Sequence, residues 1–179
     1  MALLFCGPLV EAIEDPTPLK PPDTSSPQAT AKVFRDNLNR AYQKSLVNGY
    51  KRPDVEAYLD RAAACFDLSQ IAPNVVQDVG VETALLLKEV LDRIELPPME
   101  EVPDRATVDS EGLTRWTVPD TAITIVKVEN GPRQGEFLFS TDTVARVREF
   151  YDNVVHLPYK SGSSVGAYED YIFGPGPMI

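Results

Sequence analysis

The sequence predicts an α+β fold: a helical half of about three helices, packed with a small antiparallel hairpin or three-stranded sheet and a C-terminal helix. Three observations predict it. Apolar residues recur at helical spacing up to about Ile94. After Gly112 the pattern changes to near-alternation in a β-rich stretch, with Ile123, Ile125 and Val128 among Thr124, Val126, Lys127 and Glu129. Then Thr141-Asp-Thr143 offers a cap to a further amphipathic stretch carrying Val144, Val147, Tyr151, Val154 and Val155.

The elements follow in order. Residues 1–12 are apolar, and Val10-Glu-Ala12 ends them in the small-x-small style of a signal-peptidase site, so they read as the remnant of an export signal that lacks its basic n-region. Residues 13–26 hold four prolines and read as an arm. Ser26-Pro27 opens the first helix and Asn48-Gly49 stops it; Pro53 opens the second, whose stripe runs from Val55 to Phe66. Asn74 and Gln77 approximate a capping box for the third helix, expected to reach Ile94 with Gly80 as a candidate break.

Residues 96–112 form an acidic connector: from Glu89 to Glu111 there are eight acidic residues against two arginines, and three prolines forbid a continuous helix. The sheet half spans 113–160, with a hairpin turning at Gly131-Pro-Arg-Gln-Gly135 and Trp116-Thr-Val118 as a third strand. Residues 27–160 are thus expected to share one core, with the last helix covering the sheet, and 161–179 to form a flexible tail.

Composition narrows the function classes. With 17 basic and 27 acidic residues, the formal charge of −10 argues against nucleic acid and against anionic lipid surfaces, both of which select basic faces. The 43 % hydrophobic content suffices for a core, and the 16 prolines are about twice the usual share. Two distant cysteines and one histidine give neither a disulfide framework nor a zinc site, so no metal or cofactor is expected.

No catalytic unit stands out. Cys65, at the end of an alanine run, reads as a buried thiol packed as a hydrophobe, and His156 as a helix-end residue without a nucleophile motif. Gly131–Gly135 lacks the Gly-Lys-Ser/Thr ending of a phosphate loop and precedes a strand. Asp120 and Glu129 read as solvated edge charges, although carboxylates distant in the chain keep a small hydrolase open as an alternative. Trp116 and Arg133 are the candidate interaction surface, because tryptophan and arginine are frequent interface anchors.

Several stretches then follow one another at short intervals: Cys65-Phe-Asp-Leu-Ser-Gln-Ile-Ala-Pro73, Leu87-Lys-Glu-Val-Leu-Asp-Arg-Ile-Glu95 and Val102-Pro-Asp104. Gly131 to Ser140, Thr143-Val144, Phe150-Tyr151, Leu157-Pro-Tyr159 and Gly176-Pro-Met-Ile179 continue the series. The succession, over residues 30 to 179, resembles the soluble region preceding the membrane helices in bacterial members of the small-conductance mechanosensitive ion channel family.

The resemblance implies a non-enzymatic periplasmic domain of an inner-membrane protein, joined at its C-terminus to membrane spans absent from this sequence, and oligomeric when so joined. It implies a fragment of a longer chain, acting through subunit or partner contacts that modulate gating. The family's conducting residues lie in those spans, so none is carried over. A free periplasmic binding or adaptor protein, its small-molecule ligand unspecified, is the alternative.

Overall fold

The computed structural model describes residues 20–174, and these form an α+β fold with six helices and one three-stranded antiparallel sheet. The expected signal remnant at 1–12, the first part of the arm and the last five residues of the tail lie outside the described residues. Helix α1 (Pro27–Asn48) starts as expected: the Ser26 side chain accepts a hydrogen bond from the Ala29 amide at 3.1 Å, and proline occupies the first turn. Helix α2 (Pro53–Ala63) is shorter than its apolar stripe, because Phe66 leaves the helix to join the sheet.

Helix α3 (Val76–Leu91) also differs from expectation at both ends. The capping box is not made; the Gln77 side chain donates to Asp60 on α2 instead. Nor does Gly80 break the helix. A Cβ there would lie 2.9 Å from Leu68 Cδ1 and 3.1 Å from Ala63 Cβ, so the glycine permits α2 and its following loop to approach closely.

The connector is more structured than its charge suggests. A single 3-10 turn (Met99–Glu101) leads into α4 (Arg105–Glu111), capped by Asp104 at the Thr107 amide and stopped by Gly112 at φ +65°. Its backbone is moored to α1, since the Gln28 amide group donates to the carbonyls of Met99 and Val102, at 2.8 and 3.2 Å.

Strands β1 (Arg115–Thr117), β2 (Thr124–Lys127) and β3 (Phe137–Phe139) pair in sequence order. Trp116 faces Ile125, which faces Phe139, so these three side chains share one face, while Leu138 and Val126 share the other. The outer edge of β3 is closed by distant chain. Its Phe137 amide donates to Thr24 O, its Phe139 amide to Cys65 O, and Phe139 O accepts from the Asp67 amide. Part of the expected arm is therefore pinned at Thr24, which is buried.

Helix α5 (Thr141–Val154), capped by Ser140, packs along α3 rather than covering the sheet. The cover is α1: Thr30 Oγ1 donates to Phe137 O at 2.6 Å, and the Phe34 ring meets Phe66 and Phe139 edge-on, at centroid distances of 5.7 and 5.2 Å. One hydrophobic cluster runs from Phe34 through Leu87 and Phe139 to Tyr168, drawing on both halves of the chain. The tail, expected to be loose, instead folds back on α3 and forms α6 (Ala167–Phe173), with Ser164, Ala167 and Tyr168 buried. No helix among the described residues is long and apolar enough to cross a membrane.

Candidate functional site

The last turn of α3 and the two residues after it carry Lys88, Glu89, Asp92 and Arg93, four charged residues that are only 3, 1, 4 and 5 % exposed. Helical spacing joins them as two i,i+4 ion pairs, Lys88–Asp92 and Glu89–Arg93, each at 2.5 Å. Two such pairs survive burial only if their remaining hydrogen-bonding positions are also filled. The returning segment 159–168 fills most of them, while the buried Arg93 Nε is left without a hydrogen-bond partner among the described residues.

Tyr159 donates its hydroxyl to Glu89 Oε2 at 2.6 Å, and its ring lies 3.8 Å from the Arg93 guanidinium. The Tyr168 amide donates to Glu89 Oε1, and Ser164 Oγ donates to Asp92 Oδ2 at 2.6 Å. The amides of Lys160 and Ser161 donate to the Asp92 carbonyl, at 2.7 and 3.0 Å, which also satisfies an orphan at the helix end.

Beside this network lies a cavity of about 350 Å³, enclosed by α1, the end of α3, the proline-bearing segment before α4 and the Trp116 face of the sheet. Its walls are apolar, with Phe34, Trp116, Ile125 and Phe139 prominent, and its polar end holds Lys88, Asp92, Ser161 and Ser163. Burial lowers the Lys88 pKa against the opposing pull of Asp92.

A second cavity, of about 480 Å³, lies on the other sheet face between α2 and the hairpin, with Phe66, Leu138 and Arg133 among its lining residues. Here Arg133 Nη2 donates to the Ala64 carbonyl at 2.8 Å and to Glu136 at 2.6 Å. This guanidinium holds the Glu136 carboxyl below its ordinary pKa, helped by the Thr24 hydroxyl at 2.7 Å.

The two candidate anchors therefore stand apart. Trp116 is half-buried and lines the first cavity, whereas Arg133 ties the hairpin to the end of α2 across the second. They do not form one contact surface.

Cys65 is buried as expected, and desolvation pushes its thiol up to about 12 despite the nearby Arg133. His156, Asp120 and Glu129 are exposed. Among the described residues no three His, Cys, Asp or Glu side chains come together as a metal site. Sequence reasoning missed the Lys88 network; its signal was a Lys-Glu-x-x-Asp-Arg block set into an otherwise apolar stripe. Compared with known proteins, no family model matches the chain, and no curated protein and no solved structure matches it.

The buried acids predict a pH dependence. Burial raises Tyr50, Tyr151 and Tyr159 to about 12, and Cys65 likewise. A group with a raised pKa keeps its proton longer folded than unfolded, so its contribution is complete below the ordinary value and is lost as pH rises through the raised one. Here that window opens near the ordinary values of 9.0 for the thiol and 10.0 for the phenols. Lys88, with its lowered pKa, acts in the opposite sense and offsets part of the loss. We expect stability to fall as pH rises from about 9 toward about 12, read from urea midpoints at each pH. A flat profile across that range would contradict the assignment.

Proposed function

We propose that the chain is a non-catalytic, contact-making domain of the kind that precedes the membrane spans in small-conductance mechanosensitive channels, placed on the periplasmic side. The observation that carries this reading is that the stretches bearing the resemblance meet one another in the fold. Cys65-Phe-Asp67 pairs with Phe139 at the end of the Gly131–Ser140 stretch, and Glu89 in the Leu87–Glu95 stretch accepts from Tyr159 of Leu157-Pro-Tyr159. These stretches therefore pack as parts of one unit of the chain.

In this reading the domain conducts nothing itself. It shifts the tension at which the channel opens through subunit contacts that differ between closed and open states. Patch-clamp recording of the channel with and without the domain tests this. The expected result is retained conductance with a changed opening tension. Loss of all conductance in a deletion that still assembles in the membrane would refute it. A reading frame without apolar spans downstream would also refute it, leaving the free periplasmic binding protein, which the Lys88 cavity favours.

A further inference from the structure

We infer that the cavity beside Lys88 binds a small neutral amphiphile, an alcohol-type molecule whose oxygen sits at Ser161 and Ser163 and whose apolar body lies against Trp116. The volume of about 350 Å³ falls at the lower end of small-molecule sites. Phe34, Leu91, Met99 and Phe139 complete apolar walls that suit a hydrocarbon body.

The polar end selects the head group. Lys88 Nζ already donates to both Asp92 oxygens, at 2.5 and 2.6 Å, and to Ser163 Oγ at 3.1 Å. Its charge is therefore compensated in place, and Lys88 and Asp92 are both more than nine-tenths buried. Arg35, also lining the cavity, is compensated by Asp36 at 3.1 Å. Neither a carboxylate nor an ammonium meets an unmatched charge there, and either would pay desolvation without a partner.

A hydroxyl or carbonyl oxygen does meet a partner. Ser161 and Ser163 share one hydrogen bond at 2.9 Å, in which either oxygen can donate. Ser163 also accepts from Lys88. Whichever way the shared bond runs, two hydroxyl protons serve one bond, and the other proton has no acceptor among the described residues. A ligand oxygen supplies that acceptor. This inference is independent of the channel reading, because it concerns a cavity lined by described residues alone.

Trp116 is the sequence's only tryptophan and forms part of the wall, so its fluorescence reports occupancy directly. Titrating the whole chain with 1-octanol should give a saturable emission change. Octanoate and octylammonium should bind at least about 10-fold more weakly, since each brings an uncompensated charge into the site. Replacing Ser161 and Ser163 together by alanine should weaken 1-octanol about 5-fold, the loss of one neutral hydrogen bond, whereas either single variant leaves one hydroxyl free to donate. A non-saturating response to 1-octanol, or octanoate binding as tightly as 1-octanol, would overturn the proposal. An unchanged 1-octanol affinity in a folded variant with both Ser161→Ala and Ser163→Ala would overturn the head-group assignment. The comparison of head groups needs no variant, so it stands even if the double variant fails to fold.

Discussion

Replacing Glu89 by alanine should remove about 3–5 kcal/mol of stability, the cost of leaving a buried charge without its counter-ion. Glu89 is the hub of the α3 end: Arg93, the Tyr159 hydroxyl and the Tyr168 amide all donate to its carboxylate. Without it Arg93 stays buried with its ring contact and one carbonyl acceptor, which do not match a full charge. Urea denaturation measures the loss. Amide exchange should also rise across residues 159–168, because Tyr159 and Tyr168 lose their anchor while α3 keeps its own backbone bonds. Replacing Glu89 and Arg93 together by methionine should recover most of the stability, since no unpaired charge then remains. A Glu89→Ala loss below about 1 kcal/mol would show that solvent reaches Arg93 and that the pair is not sealed by the returning segment.

Phe139→Ala should cost a similar amount, about 3–5 kcal/mol, through lost burial plus the void it leaves. The ring is 2 % exposed, stacks on Phe66 at 5.1 Å and meets Phe34 at 5.2 Å, so three elements converge on it. The neighbouring cavity makes collapse around the missing ring harder, because those walls already lack neighbours on one side. Phe139→Leu, which keeps most of the volume, should cost under about 1.5 kcal/mol. Equal losses for both variants in equilibrium unfolding would mean that ring stacking, not filled volume, decides the site.

Helix starts were the most legible feature of the sequence, because their signals are local. Ser26-Pro27 set the start of α1 from two neighbouring residues, and the alternation of Ile123 and Ile125 set β2. What was not legible depended on residues far apart. Asn74 and Gln77 satisfy a capping pattern, yet Asp60 on another helix takes the Gln77 side chain. The glycine content of residues 161–179 argued for a loose tail. Nothing local showed that Ser164 would be needed by Asp92, 72 positions earlier. The candidate site shared this difficulty. A Lys-Glu-x-x-Asp-Arg block reads as a solvated helix face, and only the return of Tyr159 explains its burial. Trp116 and Arg133 were each visible as anchors, but nothing local showed that Arg133, in the loop before β3, would turn to the Ala64 carbonyl at the end of α2 and away from Trp116.

The closed outer edge of β3 also sets an order of events in folding. Phe137 pairs with Thr24 and Phe139 with Cys65, contacts between positions 113 and 74 residues apart. Such distant pairings carry the loop-closure entropy that slows folding, so the helices, whose bonds are local, form early and β3 locks late. During synthesis the ribosome delivers residues 24 and 65–67 long before 137–139. For that interval Thr24 and Cys65–Asp67 hold out unpaired backbone groups to whatever strand is near. Once β3 arrives, the same groups become a built-in cap, and a second copy of the chain finds no ladder there to extend.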